Sequence, residues 1–473
     1  MLRSASAASL SSVWRMGVTF ATHMALRKLI APAEMGVWTW AEPVFILLAQ
    51  VRDLGVPGHV VRQSRRAYGN YLGLQVGWGG ALAAALALAA PLLAYGFAGR
   101  DAATVPILRA LCLFLFVQGL GSVPLTFFEA EQEIEKTIPA ELGRNVCFAA
   151  LSIVLALRGW GVWSIVIAHI TAASVYTAML WWAALSSRQE RDGHARLHLE
   201  VLPGATLSLV LASLPLMVLS LLELAVLNLD PVILGLRLPA GIVGAAGLAI
   251  LAAFFVSRQL ADAAGRAVYP ALVRYRDQPS RAFEVFRTAT VFLLTLVVPV
   301  AFFVFWNAER VVMILTLGRA DWLGAAGYLR VAAFVPLARP LTMFGRELLL
   351  VYHRDRLLIG YTLVNLLALG GLGYVLIGTD LRELGMAVAG YFPLGMLLLA
   401  WGLWQLEPAG FRRLLLDIGV LYALGLVLFA PIALVSATAP WWRFGISTVA
   451  ALLFVAIALL RHRPLYRAFL AFD

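Results

Sequence analysis

The sequence predicts an all-α polytopic membrane protein, a transmembrane helical bundle of about fourteen spans. Three observations predict it. Of 473 residues, 62% are hydrophobic and only 13% charged, where a soluble domain carries about a quarter charged residues. The apolar residues fall into runs of about 20, the length a helix needs to cross the hydrocarbon core of a bilayer. The cations, all Arg except Lys28 and Lys136, gather at every second joint between those runs. A soluble fold of this size is excluded, and turn-length joints leave no room for a separate catalytic domain.

In chain order the candidate spans are 5–27, 37–60, 71–97, 104–126, 139–158, 160–185, 204–228, 240–260, 287–306, 327–350, 357–376, 382–403, 413–435 and 443–461. The first carries Arg15 in mid-run, which suits a crossing helix better than a signal peptide. Trp pairs stand at several predicted ends (Trp38/Trp40, Trp160/Trp163, Trp181/Trp182, Trp401/Trp404, Trp441/Trp442), as expected of residues seated among headgroups. The longest polar joints are 127–138, 186–203 and 261–286. Cys112 and Cys147 fall inside apolar runs and read as helix-packing residues.

Lys and Arg exceed Asp and Glu, 37 to 26, for a net charge of +11. Even-numbered joints hold most of it: Arg62, Arg65 and Arg66; Arg188, Arg191 and Arg196; Arg266, Arg274, Arg276 and Arg281; Arg354 and Arg356; Arg412 and Arg413; then Arg461, Arg463 and Arg467 in the tail. Odd-numbered joints mostly carry one, such as Arg100, Arg158 or Arg237. The positive-inside rule therefore predicts both termini in the cytoplasm. No G-x-x-x-x-G-K-[ST] occurs, so the chain is not itself an ATP-driven pump. D-x-D, H-E-x-x-H and G-x-S-x-G are also missing, and neither enzyme chemistry nor a cofactor is expected. His194 and His198 (HARLH) lie in a basic joint and read as solvated rather than metal-ligating. No nucleic-acid partner is expected.

The halves repeat weakly. LIAPAEMGVW (29–38) follows span 1 and RLPAGIVGAA (237–246) follows span 7, an offset of about 208 residues. GVWSIVIAH (161–169) and GMAVAGY (385–391) open spans 6 and 12. Paired spans keep one orientation, so the repeat is parallel, with its pseudo-axis along the membrane normal.

At these turns the chain resembles the polysaccharide (Wzx-like, O-antigen) flippases. LRKLIAPAEMGVWTWAEPVFILLAQVRDLGV (26–56) is similar to that family's first hairpin, ending in Asp53-Leu54-Gly55. RGWGVWSIVIAH (158–169) is similar to its span 5–6 turn, and NLDPVILGLRLPAGIVGAAGLA (228–249) with AVYPALVRY (267–275) to its centre. VVMILTLGRADWLGAAGYLRVAAFVPLARPL (311–341) is similar to its span 9–10 connection. The resemblance implies membership of the multidrug/oligosaccharidyl-lipid/polysaccharide (MOP) exporter superfamily. It implies an N-lobe at 1–200 (spans 1–6), a C-lobe at 201–405 (spans 7–12) around a central cavity, and two further spans and a cytoplasmic tail at 406–473. It implies a flippase of the bacterial cytoplasmic (inner) membrane that moves an undecaprenyl-pyrophosphate-linked oligosaccharide to the periplasmic leaflet for polysaccharide, O-antigen or exopolysaccharide synthesis. The implied partners are membrane lipids and the polymerase and glycosyltransferases of the pathway, around a monomer.

Ionisable residues within apolar runs are the candidate site, because a charge at the bilayer centre must face protein or a water-filled cavity. Arg15, Arg52, Arg258, Arg339 and Arg346, with Asp53 and Gln118, are the candidate contacts for pyrophosphate and sugar. An Arg fork grips phosphate oxygens bidentately. Each has a structural reading as well: Arg15 and Arg339 as interhelix ion pairs or carbonyl contacts, Arg52 and Asp53 as a pair, Arg258 as an i,i+4 partner of Asp262, Arg346 as an interfacial residue, Gln118 as an interhelix hydrogen bond. Glu42 and Glu223 are candidates for ion coupling, or else anchors of helix ends. Pro336 and Pro340, around Arg339, are candidate hinges. The competing functions are a cation/drug antiporter of the same superfamily, an integral-membrane glycan ligase or polymerase, and a scaffold without an arginine-lined cavity.

Overall fold

The computed structural model describes residues 17–62, 68–96, 104–131, 133–186, 199, 205–373, 396–435 and 440–470, with the backbone alone at 62, 205, 216, 219, 223, 227, 229, 256–267, 369, 372, 373, 440 and 467–470. Among the described residues all regular structure is helical. Arg15 and the repeat mark at 385–391 lie outside them. The side chains of Glu223 and Arg258 do too.

Two compact units form, Met1–Gly244 with Leu315–Arg319, and Ala245–Ile314 with Ala320–Asp473. The first contains α1 (residues 17–29), α2 (Pro32–Asp53), α3 (Val56–Arg62), α4 (Tyr68–Gly96, with a π turn at Gln75–Gly79), α5 (Thr104–Ala130), α6 (Ile138–Leu157), α7 (Trp163–Ser186) and α8 (Ala205–Arg237). Its core joins Tyr71, Val123, Phe127, Phe128 and Leu180. The second continues α9 (Ala240–Arg274) and contains α10 (Pro279–Trp306), α11 (Ala308–Leu315), α12 (Ala325–Ala332), α13 (Arg339–Val351), α14 (Asp355–Leu367), α15 (Met396–Leu406), α16 (Pro408–Phe429), α17 (Pro440–Arg461) and α18 (Arg463–Leu470). Helix α10 is its axis. Phe302 packs its ring on Phe334 and on Phe429, each at 5.4 Å between centroids, and Arg287 joins α10 to α16 through Asp417 at 2.7 Å.

Seven described helical stretches are long and apolar enough to cross a membrane: α4, α5, α6 with its preceding turn, α7, α10, α16 with the turn after it, and α17. Part of α8 adds one more if its two arms, Thr206–Pro215 and Ser220–Val226, bent by 50°, are a single span. The bend follows Pro215, which lacks the N–H that would close the ladder. These helices turn leucines outward (Leu88 is 81% exposed and Leu460 71%), an apolar surface suited to lipid. The chain is therefore a multi-pass membrane protein.

Two expected features differ in the structure. The run 327–350 is not one helix: α12 stops at Ala332, a 3-10 turn takes Val335–Ala338, and α13 restarts at Arg339. Pro336 and Pro340 each remove a donor from the ladder there. The polar joint at 261–286 is mostly helix, because α9 runs on to Arg274 and α10 begins at Pro279.

The repeat marks at 29–38 and 237–246 meet in space. A Cβ on Gly36 would fall 1.8 Å from the Ala240 carbonyl oxygen, and one on Gly244 would fall 1.9 Å from that of Pro32. Ala240 and Gly244 are the counterparts of Pro32 and Gly36 at the repeat offset, so the contact is made once in each sense. That reciprocity is the mark of a two-fold relation between the paired segments. Bare backbone at both glycines is what permits the approach.

Gly36→Val or Gly244→Val should therefore cost about 3 kcal/mol or more through overpacking, read as lost folded yield and a lower melting temperature in detergent. Gly241→Ala, with nothing within 4 Å of its Cβ, should match or exceed the parent by up to about 1 kcal/mol of helix propensity.

Candidate functional site

Helices α1, α2, α5, α6 and α7, with Leu224 of α8, line a cavity of about 530 Å³ in the first unit, within the size range of small-molecule sites. Each helix offers it one face. Thr19 and His23 come from α1; Trp38, Glu42, Phe45, Ala49 and Asp53 from α2; Leu111, Phe114 and Gln118 from α5; Arg144, Asn145 and Phe148 from α6; and Ile165, His169, Ala172 and Tyr176 from α7. Spacings of three and four dominate along each helix and stack most of these side chains on one side, with Arg144 and Asn145 adjacent on α6. The walls are thus apolar and aromatic, with a few polar groups set among them.

Three of those groups hold unused hydrogen-bonding capacity. Arg144 lays its guanidinium over the Tyr176 ring, 4.8 Å from the centroid, and makes no salt bridge among the described residues. The stacking fixes the plane of the fork while leaving its N–H groups to the cavity. Asn145 Nδ2 and His23 Nδ1 are buried without a hydrogen-bond partner among the described residues. An unmade bond of this kind costs about 1–3 kcal/mol unless water or a ligand completes it. His169 is held beside them by an aromatic cage, its ring 4.3 Å from that of Phe148 and 4.4 Å from that of Trp38. Its Nδ1 lies 3.1 Å from the Ile165 carbonyl oxygen.

Arg52 faces the other way. It is 2% exposed and lies between α2, α4 and α5. Nε and Nη2 donate to the two Asp53 carboxylate oxygens at 3.0 Å each, and Nη1 donates to the Leu115 carbonyl at 2.6 Å. Gln118 Oε1 accepts from the same nitrogen at 3.4 Å, and Gln75 Nε2 donates to Asp53 at 3.0 Å. Gly119 makes room: a Cβ there would stand 2.9 Å from Arg52 Cδ. Arg52 thus braces Asp53 and Gln118, both of which line the cavity, without lining it itself.

Among the sequence candidates, then, Glu42, Asp53 and Gln118 come together at one cavity with Arg52 behind them. Arg339 opens α13 and Arg346 lies seven residues later on it, both half-buried in the second unit. Sequence reasoning missed Arg144, Asn145, His23 and His169. The signal for Arg144 was present, a cation six residues into the apolar run 139–158. His169 had been read only as the end of a repeat mark.

The family model described as polysaccharide biosynthesis protein matches residues 25–326. No curated protein matches the chain in sequence. Among solved structures, the lipid II flippase MurJ in an inward closed conformation is similar with a TM-score of 0.69 at 12% identity, covering 97% of this chain and 99% of its own. A multidrug resistance MATE family transporter of the MOP superfamily, inward-facing, is similar at 0.61 and 15% identity, covering 84% and 96%. A MOP superfamily transporter from Pyrococcus furiosus gives 0.57 and 16%, covering 84% and 94%. At these identities the likeness is one of fold.

Arg52→Ala should destabilise the first unit by about 1–3 kcal/mol, because it removes the partner of a half-buried Asp53 and leaves the Leu115 carbonyl without its donor. Arg52→Lys should recover little of it, since one ammonium cannot span two carboxylate oxygens and a carbonyl. Thermal unfolding of the two variants beside Asp53→Ala measures this.

Proposed function

The chain belongs to the polysaccharide biosynthesis protein family, and from that premise we propose that it moves an undecaprenyl-pyrophosphate-linked glycan from the cytoplasmic to the periplasmic leaflet by alternating access. A membrane transporter of the flippase type is supported by the family match and by the fold shared with a lipid II flippase and a MATE transporter. The substrate, its direction and the residues that meet it are our reading.

One observation carries it: inside an apolar unit, Arg144 presents a stacked guanidinium, without a salt bridge among the described residues, to a cavity wide enough for a sugar head. An arginine so placed attracts anionic oxygens, whether of pyrophosphate or of an acidic sugar. The amides of Gln50, Gln118 and Asn145 suit hydroxyl groups, and Trp38, Phe114 and Phe148 suit the apolar faces of sugar rings. We assign Arg52 and Asp53 the role of holding that wall in place, and keep Arg15, Arg258, Arg339 and Arg346 as further contacts along the path. Arg15 stands four residues before Thr19 and eight before His23 in sequence, the spacing of one helix face. We assign 1–200 and 201–405 to the two rocking lobes and 406–473 to the appended spans, with both termini in the cytoplasm. The pathway's polymerase and glycosyltransferases would act before and after it. Carrying an anion outward is favoured by an inside-negative potential at about 2.3 kcal/mol per charge per 100 mV.

A second reading, cation antiport, draws on Glu42, whose carboxylate also lines the cavity. Under it Glu42→Gln would abolish transport while Arg144→Ala would spare it. Under ours the order reverses. Deleting the protein should trap a lipid-linked oligosaccharide on the cytoplasmic leaflet, and Arg144→Ala at normal protein level should reproduce most of that. The lost charge-assisted contact, about 1.5–3 kcal/mol, corresponds to a roughly 10- to 150-fold drop in flux. Arg144→Lys should restore part of it.

A further inference from the structure

Arg319 stands far from the cavity in sequence and reaches the end of α1. Its Nη1 donates to the carbonyls of Lys28 and Ile30, each at 3.2 Å. In return Lys28 Nζ donates to the Leu317 carbonyl at 3.0 Å. Side chain from each segment thus grips the backbone of the other. The carbonyls concerned are those a helix leaves without intrahelical partners, and they carry the negative end of its dipole. Pro32 opens α2 at once and supplies no N–H for the Lys28 carbonyl. A cation brought from elsewhere satisfies them instead.

The gripping segment is shaped for the task. Leu317 and Gly318 take left-handed backbone conformations, φ 50° and 87°, and Thr316 Oγ1 donates to the Arg319 carbonyl at 3.3 Å. That tight turn aims the Leu317 carbonyl and the Arg319 side chain to one side. Leu315–Arg319 packs as part of the first unit, although the chain before it and after it belongs to the second. The grip also differs in kind from the Arg52 cluster. Lys28 is exposed, and the bonds it makes and accepts end on carbonyls that water can serve equally well. Of the three bonds, the two at Lys28 are exposed, so water can replace them as they break.

We propose that Leu315–Arg319 is a releasable strap, closed on the carboxyl end of α1 in one state of the transport cycle and open in the other. The inference rests on the alternating-access reading above. By the arginine distribution α1 ends on the outer side, so a closed strap seals that side and its release admits the outward-open state.

The test uses a cysteine at Ala172→Cys, in the cavity wall, with Cys112→Ala and Cys147→Ala removing the native thiols. A membrane-impermeant maleimide is applied to right-side-out and inside-out vesicles. With the strap intact the cysteine should react from both sides, more slowly from outside. Arg319→Ala and Lys28→Ala should each raise the outside rate at least threefold and lower the inside rate. Arg319→Lys, which keeps a donor, should fall between. Rates unchanged in both alanine variants, while the parent reacts from both sides, would overturn the strap and leave alternating access standing. A rise from both sides together would signal loosened folding and also count against it. Reaction from one side alone in every protein would remove both readings.

Discussion

A charged side chain inside an apolar bundle has two stable fates: a complete set of protein partners, or a wet cavity. The first unit shows both within a short distance of chain. Arg52 takes the first, with two carboxylate oxygens, a backbone carbonyl and a glutamine amide around it. Arg144 takes the second, stacked on Tyr176 at the cavity wall. The two are connected, because Asp53 and Gln118, which Arg52 holds, form part of the same wall. A buried ion pair of this sort adds little net stability, since desolvation offsets most of the attraction. What it fixes is position, and position is what a binding wall needs.

The second constraint is steric. Helices in a bilayer gain nothing from apolar burial against each other and rely on close packing, which small residues permit. Gly36 and Gly244 let two backbones meet where any Cβ would intrude, and the contact recurs in both senses at the repeat offset. The two short turns expected to correspond are thus in direct contact. Beside this crossing lies the end of α1, where Arg319 supplies the cap that Pro32 denies. Rigid contacts by shape and replaceable contacts by hydrogen bond thus stand next to each other.

Much of the fold was legible in the sequence, because apolar run length is set by bilayer thickness and every run must close its own backbone hydrogen bonds. Seven of the expected spans recur as long apolar helices, and the prolines flagged at 336 and 340 are where the tenth run breaks. The polar joint at 261–286 was misread for a physical reason: hydropathy marks where a helix leaves the membrane, not where it ends. The site was only partly legible. Asp53, Gln118 and Glu42 stood out as polar groups in apolar runs and do line one cavity. That Arg52 turns from the cavity to its neighbours could not be read, since adjacent positions on a helix point about 100° apart and sequence does not say which one faces the cavity. Arg144 sat near a run's beginning, where a cation passes for an interfacial residue. His169 needed its aromatic neighbours from three other helices before it meant anything.

In the proposed cycle a glycan head enters the cavity of the first unit. Photocrosslinking tests it most directly, with benzoylphenylalanine placed at Phe148 on the cavity wall and, as a control, at Leu88 on the lipid-facing side of α4. The probe is a radiolabelled undecaprenyl-pyrophosphate oligosaccharide in membranes that hold the protein. Sugar label should be captured at 148, with capture suppressed by excess unlabelled lipid-linked glycan, and none should be captured at 88. Capture at 88 with none at 148 would contradict it.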